Sequence, residues 1–278
     1  MAGPFARLRH AGLAIRPGNL SPRRRFLVAF AVLLALGACV AALVAGLRSG
    51  GDQPAGYPAQ DRLGPVLLVP GYGGATTSLA ELAARIRAAG RTATVLQLPG
   101  NGTGSLIADA AVLNSAVSQA LERGAPSVDV IGYSAGGVVA LIWAREDDGA
   151  ARARRVITLG SPFHGTRLAA GAAGFVPGAC PAACQQLVPG SALLTSLDVS
   201  DAAGLPPWLS VWTADDQTVI PPDSARLAGA IDLSVQSLCP AARITHSQLP
   251  ASPIVTAIVL QALHPGPLRQ PSPVSCGG

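Results

Sequence analysis

A serine flanked by glycines, Gly132-Tyr133-Ser134-Ala135-Gly136, follows a run of strand-type residues from Val128 to Ile131. An apolar, alanine-rich run from Val138 to Ala144 comes next. A strand, a tight turn with serine at its tip and then a helix is the context in which this spacing carries chemistry. The turn is crowded, and glycine two residues to either side removes a β-carbon that would clash. The helix aims its unpaired N–H groups at the same point. A serine so placed is built for nucleophilic attack through a covalent intermediate.

A serine hydroxyl is a weak nucleophile and needs a base to take its proton. Histidine suits that task because it titrates near neutrality, and a carboxylate then fixes the imidazole tautomer. The chain has four histidines. His10 lies in an N-terminal arm and His264 at the start of a Pro-rich tail, which leaves His164 and His246. In the chain order serine, acid, histidine, His246 follows the acid candidates and His164 does not. His246 is therefore assigned as the base, and His164 as a structural residue of its loop. The acid falls in Trp212-Thr213-Ala214-Asp215-Asp216-Gln217. Neighbouring side chains point different ways, so only one of Asp215 and Asp216 can serve. Charge developing on the substrate oxygen needs donors. One is the N–H of Ala135. The other is assigned to the N–H of Tyr72, in the loop Pro70-Gly71-Tyr72-Gly73-Gly74.

These loops need strands to carry them. Pro65 to Val69 is a continuous apolar run, the mark of a buried parallel strand. Thr92–Leu98, Val156–Leu159 and Leu209–Thr213 read as further strands. Helical spacing runs through Ser78–Ala89, closed by Gly90, and through Ser105–Arg123, with Ser105 as N-cap. Ser252–Leu263 reads as a closing helix. Alternating strands and helices predict an α/β fold with a mostly parallel central sheet and helices on both faces. In such sheets the site lies beyond the carboxyl ends of the strands, and every loop named above leaves one. The Gly-rich stretch Gly100 to Gly104 lacks the Lys-Ser/Thr and the spacing of phosphate-binding loops, so no nucleotide cofactor is expected. The cysteines have no zinc-ligand spacing with histidine, and no metal is expected.

With these residues in place, the chain resembles the α/β-hydrolases, in particular the bacterial extracellular lipase/esterase group. The resemblance covers roughly Pro65 to Leu263 and rests on several segments together. They are Val69-Pro70-Gly71-Tyr72-Gly73, Gly132 to Gly137, Gly160-Ser161-Pro162-Phe163-His164-Gly165-Thr166 and His246-Ser247-Gln248-Leu249. The family's acid appears as Asp-x-x-Val near a proline, and Asp216-Gln217-Thr218-Val219 with Pro221 matches that register, which favours Asp216 over Asp215. The resemblance implies an α/β-hydrolase fold and hydrolysis of lipid or other carboxylic esters. It implies an acyl-enzyme route through Ser134, Asp216 and His246, without metal or cofactor. The same residues would also serve an acyltransferase, and the fold alone a non-catalytic binding protein at the cell surface. Phe163 departs from the pattern, standing where such lipases often carry a second histidine at a position that bears on the pocket. In this group an insert such as Ala169 to Pro207 forms a pocket wall or small lid; ordinary core helix is the alternative.

The 278-residue chain contains no lysine, and its 20 basic residues are all arginine. Seven arginines and no acid lie in residues 1–48, against 13 arginines and 15 acids in the rest. The net charge of +5 thus belongs to the N-terminal arm, and the remainder gives no case for nucleic-acid binding. After Arg23-Arg24-Arg25 come 22 uncharged residues, Phe26 to Leu47, long enough to cross a bilayer as a helix. The preceding arginines place the N-terminus in the cytoplasm and the rest outside. A retained signal anchor fits the length best, and a cleaved signal peptide is the main alternative. A lipoprotein signal at Leu36-Gly37-Ala38-Cys39 fits poorly, because the apolar run continues past Cys39. Cys180, Cys184, Cys239 and Cys276 would then lie where disulfides form, with three pairings open. The chain divides into a basic arm (1–25), an anchor or signal segment (26–47), a linker (48–64), the hydrolase domain (65–264) and a Pro-rich tail (265–278).

Overall fold

The computed structural model describes residues 23, 27, 29–39, 56–74, 76–175, 178, 180–201 and 203–276. The chain separates into two units, Met1–Pro54 and Ala55–Gly278. In the first, residues 29–39 are helical and exposed. Much of the apolar stretch 26–47, and all of the arm except Arg23, lies outside the described residues. Among the described residues no helix is long and apolar enough to cross a membrane.

The second unit is built on six parallel strands. They are β1 (Val66–Val69), β2 (Ala93–Val95), β3 (Val128–Tyr133), β4 (Ala153–Leu159), β5 (Trp208–Trp212) and β6 (Ile231–Ser234), in the order β2-β1-β3-β4-β5-β6. Strand residues alternate between two cores, as a period of two requires. Leu67, Val69, Val128 and Val130 face one side, where α2 (Leu106–Glu122) and α3 (Ala135–Glu146) pack. Val66, Leu68, Ile131 and Tyr133 face the other, covered by α1 (Thr77–Ala88) and α7 (Pro253–Ala262). Helix α3 is buried from Ala135 through Ala144, which explains a helix with almost no polar face.

Strand β6 has no counterpart among the strands expected from sequence. It is short, carries Asp232 and buries only Leu233 fully, so it offers neither an apolar run nor clean alternation. Between β4 and β5 the described residues form three short helices, α4 (Arg167–Phe175), α5 (Ala182–Gln186) and α6 (Ala192–Ser196). They lay Ala169, Ala183, Leu187 and Leu194 on the α2–α3 side of the core. An open groove of about 510 Å3 remains between Ile107 and helices α5 and α6.

Two disulfides close, Cys180–Cys184 and Cys239–Cys276. Bonds of this kind persist in oxidising compartments, and both fit a secreted domain. Residues 56–64, in the stretch read as linker, lie against the domain. Gln60 is buried and donates to the carbonyl of Arg154 at 2.8 Å. A β-carbon on Gly64 would overlap the carbonyl of Ser127. The tail also folds back, with Gly266 N–H donating to the Gln60 carbonyl at 3.0 Å.

The edge at which the strands begin holds a buried charge cluster. Asp129 accepts from Arg154 Nε at 2.9 Å and from Arg91 Nη2 at 2.7 Å. Arg154 and Arg155 also donate to the carbonyls of Ala262, Leu263, His264 and Gly266, at and beyond the C-terminal end of α7. Helix C-termini favour cations, which compensates the surplus of guanidinium over carboxylate. Burial, with Arg154 alongside, pushes the Arg155 guanidinium down to about 10.

Candidate active site

The strand order reverses between β1 and β3, and crevices at such points receive ligands beyond the carboxyl ends of the strands. Ser134 follows β3 with φ 52° and ψ −124°, a backbone strained for any residue but glycine. Its amide donates to the Leu159 carbonyl of β4 at 2.9 Å. The strain is tolerated because the neighbours leave no alternative. A β-carbon on Gly132 would lie 2.5 Å from Cα of Gly137, and one on Gly136 2.3 Å from the Val69 carbonyl.

The loop after β1 meets this turn directly. A β-carbon on Gly71 would lie 2.9 Å from Cβ of Ser134 and 3.5 Å from its Oγ. Gly74 N–H closes a turn onto the Gly71 carbonyl at 3.1 Å, with Gly73 at φ 83°, as a type II turn requires. Tyr72 follows Gly71 in that turn and is 43% exposed. Ala135 opens α3, so its N–H has no partner within the helix. Both assigned donors therefore belong to segments that flank Ser134.

His246 and Asp216 complete the arrangement. Ser134 Oγ lies 2.9 Å from Nε2 of His246, and Nδ1 of the same ring lies 2.7 Å from Oδ2 of Asp216. A carboxylate only accepts, so the Nδ1 proton faces Asp216 and Nε2 is left to accept from the serine. The other oxygen, Oδ1, accepts from the main-chain N–H groups of Thr218 and Val219 at 2.9 and 2.8 Å. That turn aims Asp216 and explains the Asp-x-x-Val register. Asp215 points elsewhere: its carboxylate lies 3.5 Å from Gln236 Nε2. Asp216 and His246 are buried, each 6% exposed.

His246 sits on a one-turn helix, His246–Gln248, whose Thr245 and Gln248 cap each other. Thr213 Oγ1 donates to the Ile244 carbonyl at 2.7 Å, which ties this loop to the end of β5. His164 is not in the constellation. It is exposed, donates through its amide to Ser224 and through Nε2 to the Arg226 carbonyl at 3.2 Å, and so holds loop to loop. Phe163 lies in the core on the α2–α3 side of the sheet. It is 1% exposed and packs edge-on against Trp208, ring centroids 6.0 Å apart.

Sequence reasoning did not single out Tyr133, the residue before Ser134. Its hydroxyl donates to the His246 carbonyl at 3.3 Å and its ring centroid lies 5.2 Å from the imidazole. Burial, with the charge of Asp216 adding, pushes this phenol up to about 12. The available signal was an aromatic at the last position of a buried strand. Among the described residues no group of His, Cys, Asp and Glu side chains is arranged to hold a metal ion.

No protein-family model matches the chain, and no curated protein does. Solved structures do. Aspergillus fumigatus lipase B superposes with a TM-score of 0.64 at 21% identity, covering 78% of this chain and 56% of that one. Bacillus licheniformis lipase BlEst2 in its propeptide form gives 0.60 at 17% identity, covering 78% and 54%. Its mature form gives 0.59 at 16%, covering 76% and 96%. The chain thus spans little more than half the length of the first two and nearly all of the third. The fold is that of the α/β-hydrolases: a parallel central sheet with helices on both faces.

Proposed function

We propose that this protein is a serine hydrolase of carboxylic esters, a lipase or esterase. The observation that carries the reading is the unbroken hydrogen-bond chain from Ser134 through His246 to Asp216, at the reversal point of a sheet shared with solved lipases. Ser134 Oγ attacks the ester carbonyl while His246 Nε2 takes its proton. Asp216 holds the ring in the tautomer that accepts and stabilises the imidazolium that forms. The N–H groups of Tyr72 and Ala135 receive the oxyanion, each such donor being worth about 3–4 kcal/mol in the transition state. The imidazolium then protonates the leaving alcohol. Water, activated by the same imidazole, releases the acid and restores Ser134.

The paired cysteines support an extracytoplasmic site of action, and the arginines before residues 26–47 support a chain tethered or exported through that segment. The substrate is a lipid or other ester. The test is Ser134→Ala on the full chain with a short p-nitrophenyl ester. Hydrolysis is expected to disappear and the near-UV circular dichroism to stay unchanged. A fluorophosphonate is expected to label wild type at Ser134. Activity that survives the substitution would sink the assignment. Product analysis with glycerol present separates hydrolysis from acyl transfer.

A further inference from the structure

We propose that Tyr133 is a positioning residue for the base, holding His246 at its working distance from Ser134; this rests on the reading of Ser134, His246 and Asp216 given above. Tyr133 ends β3 and is peptide-bonded to the nucleophile. Its hydroxyl reaches the main-chain carbonyl of His246 at 3.3 Å, and its ring lies against the imidazole with the planes 32° apart. One side chain thus bridges the strand that carries the serine and the loop that carries the base. Thr213 and Asp216 hold that loop from the β5 side. Tyr133 holds it from β3, so the loop is gripped from two strand ends instead of hanging from one.

The grip is constant where it matters. The phenol is 9% exposed and, raised to about 12, keeps its proton across the range in which an imidazole titrates. The donor to the His246 carbonyl therefore persists while the base changes charge. The ring also packs beside the imidazole, whose Nδ1 faces Asp216 and whose Nε2 faces Ser134. Displacement of a catalytic group by about 1 Å costs on the order of 100-fold in rate.

Two variants of the full chain test this. Tyr133→Phe keeps the ring and removes the donor; Tyr133→Leu removes both. With a p-nitrophenyl ester, kcat is expected to fall about 5-fold in the first and about 100-fold in the second, KM staying within about twofold in both. Fluorophosphonate labelling of Ser134 should slow in the same proportions. The Nδ1–H proton resonance of His246, assigned by its loss in His246→Gln, should shift or broaden in both variants. A purely packing role would leave that resonance unmoved in Tyr133→Phe, which keeps the ring and its ring current. The proposal is overturned if Tyr133→Phe matches wild type in kcat, labelling and resonance, or if KM rises while kcat holds. Should Tyr133→Leu fail to fold, Tyr133→Phe decides. A wild type that neither hydrolyses esters nor labels at Ser134 would refute the triad reading, and the resonance alone would then decide the role of Tyr133.

Discussion

A β-carbon on Gly160 would lie 3.0 Å from Nδ1 of His246. Gly160 leaves β4 at φ 59° and bonds through its amide to the Val211 carbonyl at 2.8 Å, so its backbone has little freedom to retreat. Gly160→Ala is expected to push the imidazole off Asp216 and lower kcat about 100-fold with KM nearly unchanged. Steady-state kinetics check this, and a wild-type kcat would mean the loop yields where the packing says it cannot.

The two adjacent aspartates make a matched pair of variants. Asp216→Asn replaces the group facing Nδ1 and is expected to lower kcat by about four orders of magnitude, through the wrong tautomer. Asp215→Asn, whose carboxylate faces Gln236, should stay within about threefold of wild type. Equal losses in the two would reject Asp216 as the acid.

Asp109 gives a pH test. It is 1% exposed in the first turn of α2, with Oδ2 unpartnered among the described residues, and burial pushes its carboxyl above the usual carboxylate range. The folded state therefore holds this proton more tightly than the unfolded chain does. Its contribution is fully present below the unfolded value of about 4 and is lost as pH rises through the folded value. Asp109→Asn is expected to be more stable than wild type at pH 7, by about 1–3 kcal/mol, with the gap closing towards pH 3. Urea unfolding across pH measures it; a gap independent of pH would refute this account.

Removing Asp129 leaves Arg91 and Arg154 without their carboxylate. Asp129→Asn is expected to cost about 3–5 kcal/mol, the penalty for an uncompensated buried charge. Activity per folded molecule should remain, since the cluster lies at the opposite edge from Ser134. A loss below about 1 kcal/mol in denaturant titration would show that the α7 carbonyls suffice.

The disulfides should differ in weight. Cys239–Cys276 spans 37 residues and Cys180–Cys184 only 4. Loop-closure entropy gives about 4 kcal/mol for the first and about 2 kcal/mol for the second. Paired Cys→Ser variants in urea would reveal the order; the reverse order would point to enthalpic terms.

Where chemistry forces spacing, the sequence was readable. Ser134 needs Gly132 and Gly136 because backbone atoms pass within 2.6 Å of where their β-carbons would stand. His246 followed from chain order. Asp216 needed the family register, because two adjacent aspartates differ only in which one the turn at Thr218 and Val219 aims inward. What was not legible depends on partners far along the chain. Gln60 sits among Gly, Pro and polar residues that read as loose, yet it is buried by Arg154 and Arg155, 94 and 95 residues away. The cysteine pairing and the inward turn of Phe163 are set by tertiary packing in the same way, and β6 is too short to announce itself.

That grip on Gln60 has a mechanical consequence. Arg154 Nη1 and Arg155 Nη2 both bond to it, at 3.1 and 3.0 Å, at the start of β4. A pull on the chain ahead of residue 60 therefore meets the sheet at its amino edge, where β4 begins. Ser134, His246 and Asp216 stand at the other end of the strands. Their alignment is insulated from such a load until the arginine clasp lets go.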